Sequence, residues 1–503
     1  MDFQEKKYVL NNAYRLKNDL HRMFICNNYT SYYNPHNTDP KISKDVLMLT
    51  HPYLAYIIGL FDGTNTIKDI YEKLNSFFSI SESKFNQAIK ALIYNNEVLE
   101  IPITGIGTFK LPKRLLIEAS PGCERHDLSL NDIDIDNMIN KLDLLSKRLY
   151  IPESMMLMID NHCLVNCTYC YEDRQHKIDR YISFERITEI IQEATSIGMS
   201  YVDIIGGDIL MYPFWDKLVK CLKQNQYAPY ISTKVPITDK IIQKLKDDDI
   251  NSIQLSLDSV IPSELTNILH VGKNYFELIK KGIGLLNKAN IEIIIRSVIT
   301  RYNDSIESIE KLISFASSFK MVSKVDLVPA AYSRFSAYNY SSTIAKLNII
   351  ESHIKQWEDR YQLKISLANW IPEYTDSEKP NRFKNRAQCI ANMTSMFMLP
   401  DGKVTICEQL YWHPFFIIGD LAHQSIMEVW NSDKALSLWN FSQKDVQEGS
   451  PCKTCQNFNE CRHGRGVCWR DAVAYFGSEY YDYPPTFCPK ATLNGKKYFI
   501  PQK

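Results

Sequence analysis

The chain carries no excess charge of either sign: its 503 residues include 58 Lys+Arg and 58 Asp+Glu. A protein whose main partner is nucleic acid shows a basic footprint, and there is none overall. No run of about 18 apolar residues exists, so no membrane span or membrane partner is expected. The opening residues MDFQEKKYVL have no apolar core, and no signal peptide is expected. No internal repeat or low-complexity segment stands out. Hydrophobic residues make up 45% and charged residues 23%, which places the chain among ordinary globular proteins. Its length calls for several domains.

Cysteine breaks this evenness. Of 13 cysteines, three lie at 163–170 and seven between 389 and 488, while Cys26, Cys123 and Cys221 stand alone. A disulfide framework belongs to short exported chains. Clustered cysteines without an export signal point instead to metal or iron–sulfur binding in a reducing, cytoplasmic compartment.

Hydrophobic periodicity divides the chain. Residues 1–110 begin with short β-like stretches, KKYVL, LHRMFICN and SYYN. Helical patterns follow near 43–60, 66–79 and 83–97, with Asp62-Gly63 as a turn and Thr66 as a cap. Residues 111–153 form a bridge with one helix near 130–148. From 154 to 340 apolar strands alternate with helices: 154–160, 201–207, 229–234, 252–258, 291–300 and 324–330. One intervening helix starts at Ser183 and stops at Gly198. Six such units make an α/β parallel sheet covered by helices, as an open sheet or a partial barrel. Either form puts chemistry at the C-terminal strand ends, where Cys163, Gly206, Ser232 and Asp258 fall. The remainder, 341–503, has a helix near 342–359 and then a cysteine-rich tail whose stability draws on bound metal.

The stretch NHCLVNCTYCYED, residues 161–173, sets Cys163, Cys167 and Cys170 in a C-x3-C-x2-C pattern with Tyr169 before the last cysteine. Structural zinc sites take four ligands, and three thiolates on a [4Fe–4S] cube leave one iron open. A zinc site completed by His162 or a distant cysteine is the bland alternative. The pattern resembles the radical SAM superfamily, which implies a partial (β/α)6 TIM barrel. In that family the open iron chelates S-adenosylmethionine, whose reductive cleavage yields a 5′-deoxyadenosyl radical. The resemblance continues in Gly206-Gly207-Asp208, similar to the family's Gly-Gly-Glu, where small residues let backbone approach the SAM amino group. By the same resemblance Ser232, Ser256 and Asp258 are SAM contacts, Arg296 meets the SAM carboxylate, and Tyr169 reaches the adenine.

In the tail, Cys389 is followed by Gly402 and Cys407, then by Cys452, Cys455, Cys461, Cys468 and Cys488, with GDLAHQSIMEVWNSDKA between the two groups. This order resembles the SPASM extension of radical SAM peptide-modifying enzymes. It implies two auxiliary [4Fe–4S] clusters, an outer one on Cys452, Cys455, Cys461 and Cys488 and an inner one on Cys389, Cys407 and Cys468. One spacing departs from the family: six residues separate Cys461 from Cys468. No cysteine stands in NRFKNRAQ before Cys389, so the inner cluster is left with an open iron or a non-cysteine ligand.

The N-terminal unit, with LFDGTNTIKDI, resembles the winged-helix-like peptide-recognition domain of PqqD-like proteins. There a leader peptide adds as a strand to a sheet edge. The strand near Tyr29–Tyr33 and the helix near 83–97 would form the groove. Residues 1–110 hold 12 Lys+Arg against 11 Asp+Glu, so the footprint of a DNA-binding winged helix is missing. Together the resemblances imply a maturase of ribosomally made peptides that closes a crosslink, thioether in preference to C–C or C–O, fed by a flavodoxin- or ferredoxin-type donor. The competing expectations are an anaerobic sulfatase-maturase type of enzyme that forms formylglycine and a non-catalytic iron–sulfur or zinc peptide scaffold.

Overall fold

The computed structural model describes residues 2–28, 43, 46–103, 107–120, 135–172, 178, 180–330, 340–368 and 379–492. The chain divides into two compact units. One is Met1–Ser154 with Ala194–Tyr201, and the other is Met155–Glu193 with Val202–Lys503.

Among its described residues the first unit has three small sheets and four α-helices. Strand β1 (Lys7–Leu10), β2 (Tyr14–Asn18), β3 (Met23–Asn27) and β4 (Leu47–Thr50) precede α1 (Pro52–Gly59). Then come β5 (Asp62–Thr66), α2 (Ile67–Asn75), α3 (Glu82–Tyr94), the hairpin of β6 (Leu99–Ile103) and β7 (Gly107–Leu111), β8 (Leu116–Glu118) and α4 (Ile135–Asn140). β1 pairs antiparallel with β5 and β8, and β3 lies between β2 and β4. The helix expected over 43–60 starts at Pro52. His51 caps it through Nδ1 at 3.3 Å from the Tyr53 amide, and residues 47–50 pair with β3 instead. Proline at the first helical turn fixes this start, because its missing N–H is one no helix uses there. Thr66 caps α2 as expected, with its hydroxyl and the Asp69 carboxylate each receiving the other residue's amide. Tyr8, Ile25, Ile58, Ile70, Phe85 and Ile89 pack into one core. The expected groove strand near Tyr29–Tyr33 lies outside the described residues.

The second unit holds the alternating sequence. Its strands are β9 (Ser154–Met158), β10 (Tyr201–Ile205), β11 (Ser232–Thr233), β12 (Ser252–Ser256), β13 (Glu292–Ile299), β14 (Val322–Pro329) and β15 (Lys364–Leu367). Between them run α5 (Phe184–Ser196), α6 (Trp215–Gln224), α7 (Asp239–Asp247), α8 (Pro262–Leu269), α9 (Tyr275–Lys288), α10 (Ile306–Ser317) and α11 (Ile344–Tyr361). β11 to β15 form one parallel sheet in sequence order. β13 alternates strictly between half-buried and buried residues, the mark of one face under helices and the other lining an interior. β15, not read from the sequence, is the fifth strand of this sheet, while β9 and β10, the first two strands read, lie in a separate sheet. The helix near 342–359 is the crossover to β15.

The tail adds α12 (Lys379–Lys384), β16 (Ser395–Met398), β17 (Lys403–Thr405), β18 (Ile417–Asp420), α13 (Ile426–Trp430), α14 (Asp433–Trp439) and α15 (Trp469–Phe476). The second sheet runs β10-β9-β16-β17-β18, so the tail extends the sheet that starts the barrel. Gly402 makes the turn between β16 and β17 at φ 89°, and a Cβ there would come 2.8 Å from Ile182 Cγ2. Arg186 of α5 donates to the carbonyls of Leu421 and Gln424, and Glu193 accepts the Ile426 amide at 2.7 Å. No helix among the described residues is long and apolar enough to cross a membrane. If α11 belongs to the barrel, Trp357→Ala, at 2% exposure, costs the second unit about 3–5 kcal/mol. Calorimetry of the intact chain reads this as a lower midpoint, and an unmoved midpoint separates α11 from that core.

Candidate metal centre and cofactor site

The three cysteines sit on the loop that leaves β9. All three are half-buried, and the described cysteines form no disulfide. The end of α8 fastens the loop. Its last carbonyls, Ile268 and Leu269, accept the amides of Thr168 and Asn166 at 2.9 and 3.0 Å, and His270, in the left-handed region, bonds the Asn166 carbonyl. These are helix carbonyls that lack an intrahelical partner. His162 turns its Nδ1 to the Asp160 carboxylate and stands beside Tyr181. Among the described residues no three His, Cys, Asp or Glu side chains form a ready-made site for a single ion. Three partly open thiols on one loop are the soft donors that an iron–sulfur cube takes.

Gly206 and Gly207 press on this same loop. A Cβ on Gly206, at φ 109°, would lie 2.6 Å from Met158 Cγ, and one on Gly207 would overlap the His162 carbonyl. The amides of Gly207 and Asp208 donate to the carbonyls of Asp160 and His162 at 2.6 and 2.8 Å. The glycines are thus required by the approach of β10's end to the cysteine loop, a constraint separate from any ligand. Asp208, 6% exposed, accepts from the Thr233 hydroxyl at 2.7 Å and the Lys234 amide at 2.6 Å. Burial pushes its pKa up against these donors. Its carboxylate ties β10 to the end of β11.

Asp258 is the most heavily engaged group of the site. Its buried carboxylate accepts from the Tyr169 hydroxyl at 2.7 Å, Lys234 Nζ at 3.2 Å and the Val298 amide at 2.9 Å. Lys234 Nζ also lies 5.8 Å from the Tyr169 ring, a cation–π distance. Burial and the Asp258 charge hold the Tyr169 hydroxyl well above its ordinary pKa. The Tyr169 hydroxyl is thereby committed to protein. Lys234 and Thr233 were not singled out in the sequence. The only signal was a lysine closing the strand PYISTK.

Ser256, Arg296, Asp326 and Ser366 are register partners on four adjacent strands, β12 to β15. They make one polar row. Arg296 is 36% exposed, with Nη2 3.6 Å from Asp326, and its Nε has no hydrogen-bond partner among the described residues. Asp326 also pairs with Lys324 and takes a bond from Ser366. Ser256 accepts from Gln254 at 2.6 Å. Ser232 is half-buried in register with Gln254. Arg296 therefore keeps donor capacity at Nε.

The tail cysteines act on one another in two sets. Cys452, Cys455, Cys461 and Cys488 act electrostatically on one another. Cys468 acts likewise on Cys389 and Cys407, and Arg470 faces all three. Burial pushes the thiols of Cys389 and Cys488 up to about 11 and that of Cys407 up to about 12. Iron must displace these protons when it binds. Arginines beside the thiols, Arg386, Arg462 and Arg470, are the second set of residues the sequence reading passed over.

Residues 158–316 match the family model of the radical SAM superfamily, and residues 389–456 match SPASM, an iron–sulfur cluster-binding domain. A probable GTP 3′,8-cyclase of Methanococcus maripaludis is 29% identical over 132 residues, 26% of this chain and 44% of that protein. The chain thus matches less than half the length of that relative. Mycofactocin maturase MftC of Mycolicibacterium smegmatis is 21% identical over 321 residues, 60% of this chain and 75% of that protein. In structure the chain is similar to SuiB of Streptococcus suis, solved with S-adenosylmethionine. The TM-score is 0.63 at 14% identity over 95% of this chain and 99% of the other. The fold is therefore that of a radical SAM core with an SPASM extension. The radical SAM domain binds a [4Fe–4S] cluster and S-adenosylmethionine, and the SPASM domain binds auxiliary iron–sulfur clusters.

Gly207→Ala should displace residues 158–162 and lower the iron bound per chain while the tail clusters remain. Iron analysis with electron paramagnetic resonance checks this. Asp258→Ala leaves Lys234 as an unpaired buried charge, at a cost of about 3–5 kcal/mol. Denaturant unfolding under anaerobic conditions should show that loss.

Proposed function

We propose that the chain is a radical SAM maturase that modifies a ribosomally synthesised precursor peptide, closing an intramolecular crosslink with a thioether favoured. The observation that carries this reading is the presence, in one unit, of a three-cysteine loop over a barrel and two further cysteine groups, one of three and one of four. The cluster and S-adenosylmethionine, when bound, supply a 5′-deoxyadenosyl radical that removes a hydrogen atom from the substrate. Cys163, Cys167 and Cys170 hold that cluster. Arg296 receives the SAM carboxylate, Tyr169 offers its ring to the adenine, and Gly206, Gly207, Asp208, Ser232, Ser256 and Asp258 shape the cofactor's surroundings. Cys452, Cys455, Cys461 and Cys488 hold an outer cluster. Cys389, Cys407 and Cys468 hold an inner one, whose shortage of a fourth cysteine favours a thioether.

Residues 1–110 serve as the leader-recognition domain, 111–153 as a bridge, 154–340 as the radical SAM core and 341–503 as the SPASM domain. An apolar cavity of about 440 Å³, lined by Tyr53, Ile57, Phe78, Phe85, Ile89 and Ile101, supports a side-chain pocket for the leader beside α3. SuiB has been solved with its precursor peptide SuiA, and MftC is a maturase by name. The electron donor is a flavodoxin or ferredoxin in a reduced cytoplasm.

Anaerobic co-expression with a short peptide encoded beside the gene tests this. The peptide should lose two hydrogens per crosslink, and fragmentation should place sulfur in the bond. A link between residues lacking sulfur defeats the thioether. Replacing Cys163, Cys167 and Cys170 together with Ala should abolish the mass change, and a persistent product would defeat the mechanism.

A further inference from the structure

The outer cysteine group has two arginines at its sulfurs. Arg386 sends Nη2 to Cys461 Sγ at 3.4 Å and to the Cys461 carbonyl at 3.0 Å. Its Nε and Nη2 meet the Gly466 carbonyl at 3.0 and 2.8 Å, and its guanidinium lies 4.0 Å over the Phe383 ring. Arg462, 9% exposed, places Nη2 at 2.7 Å from the Asp482 carbonyl and 3.9 Å from Cys452 Sγ. Its guanidinium lies 4.6 Å over the Trp469 ring, and Nε and Nη1 have no hydrogen-bond partner among the described residues. A buried cation with two idle donors is costly unless an anion stands near it. Four thiolates around a cube supply that anion.

We propose that Arg386 and Arg462 are tuning residues that raise the reduction potential of the cluster on Cys452, Cys455, Cys461 and Cys488, making that cluster an electron acceptor. The proposal rests on the ligand grouping of the proposed function. Reduction adds one electron to the cube, with no bond made or broken. Hydrogen bonds to ligand sulfur, net charge and solvent exposure set the potentials of such clusters. Guanidinium stays charged at every working pH, and in a water-poor site its field on the extra electron is strong. The inner group has three cysteines and Arg470, so both groups pair thiolate charge with arginine.

The test uses the full chain, reconstituted anaerobically, with Cys163, Cys167 and Cys170 replaced by Ala to leave the auxiliary signals alone. Electron paramagnetic resonance follows a titration with dithionite and mediator dyes. Arg386→Gln and Arg462→Gln should each lower one auxiliary midpoint, by about tenfold in the reduction equilibrium or about 59 mV for one electron, with iron content unchanged. Arg386→Lys and Arg462→Lys should lower the same midpoint less, since they keep charge and lose the fork. Unmoved midpoints at full iron content overturn the proposal. If a glutamine variant loses iron, its lysine counterpart decides on the same criterion. With Cys163, Cys167 and Cys170 in place, Cys455→Ala and Cys488→Ala together should remove the iron of one cluster, and an iron content that does not fall defeats the ligand grouping itself, an outcome distinct from unmoved potentials.

Discussion

One buried carboxylate joins most of the elements on which the cofactor site depends. Asp258 follows β12, yet its oxygens are taken by the cysteine loop through Tyr169, by the end of β11 through Lys234 and by β13 through the Val298 amide. Its own carbonyl accepts from Ser297 and Asn303. Burying an ionised carboxylate is expensive, and only this full set of donors makes it tolerable. Because Tyr169 lies between Cys167 and Cys170, the same interaction fixes where two thiols stand. The glycine contacts at β10 and the helix carbonyls at the end of α8 hold the other parts of the loop. A thiol loop fixed from four elements keeps its geometry whether or not it is loaded, which lowers the ordering cost when iron binds.

The tail is part of the barrel's framework. Through β16 it continues the sheet of β9, the strand from which the cysteine loop departs. Gly402 allows the close turn that keeps β17 in that sheet. Cysteine groups far apart in sequence are therefore referred to one rigid element. A strand-to-strand ladder transmits position better than a flexible linker.

The fold was largely legible because its signals are local. Apolar strands at regular intervals, the Ser183 start and the Thr66 cap each act within a few residues, whereas Asp62-Gly63, expected as a turn, opens β5. The radical SAM and SPASM domains were legible because thiol spacing is chemistry written in sequence. Lys234 was not, since a lysine at a strand end reads as a solvated cap until Asp258 is brought to it across 24 positions. Arg386 and Arg462 look like surface charges for the same reason. The strand at 47–50 was taken into a helix because four apolar residues fit either period. Its partner β3 decided the matter. β15 escaped because KISL is too short to announce a strand before β14 is in place beside it.

The one spacing that departs from the family has a structural use. Residues Glu460–Arg465 form a π-helical turn, a form frequent at functional sites. The Arg465 carbonyl accepts the Cys389 amide at 3.0 Å, and Gly466, at φ 71°, lets the chain pass so close that a Cβ would stand 3.2 Å from Cys389 Cβ. Arg386, three residues before Cys389, reaches back to Cys461 and Gly466. The longer loop thus begins at Cys461, braces Cys389 in its middle and ends at Cys468. A shorter connection would leave out the turn that holds Cys389.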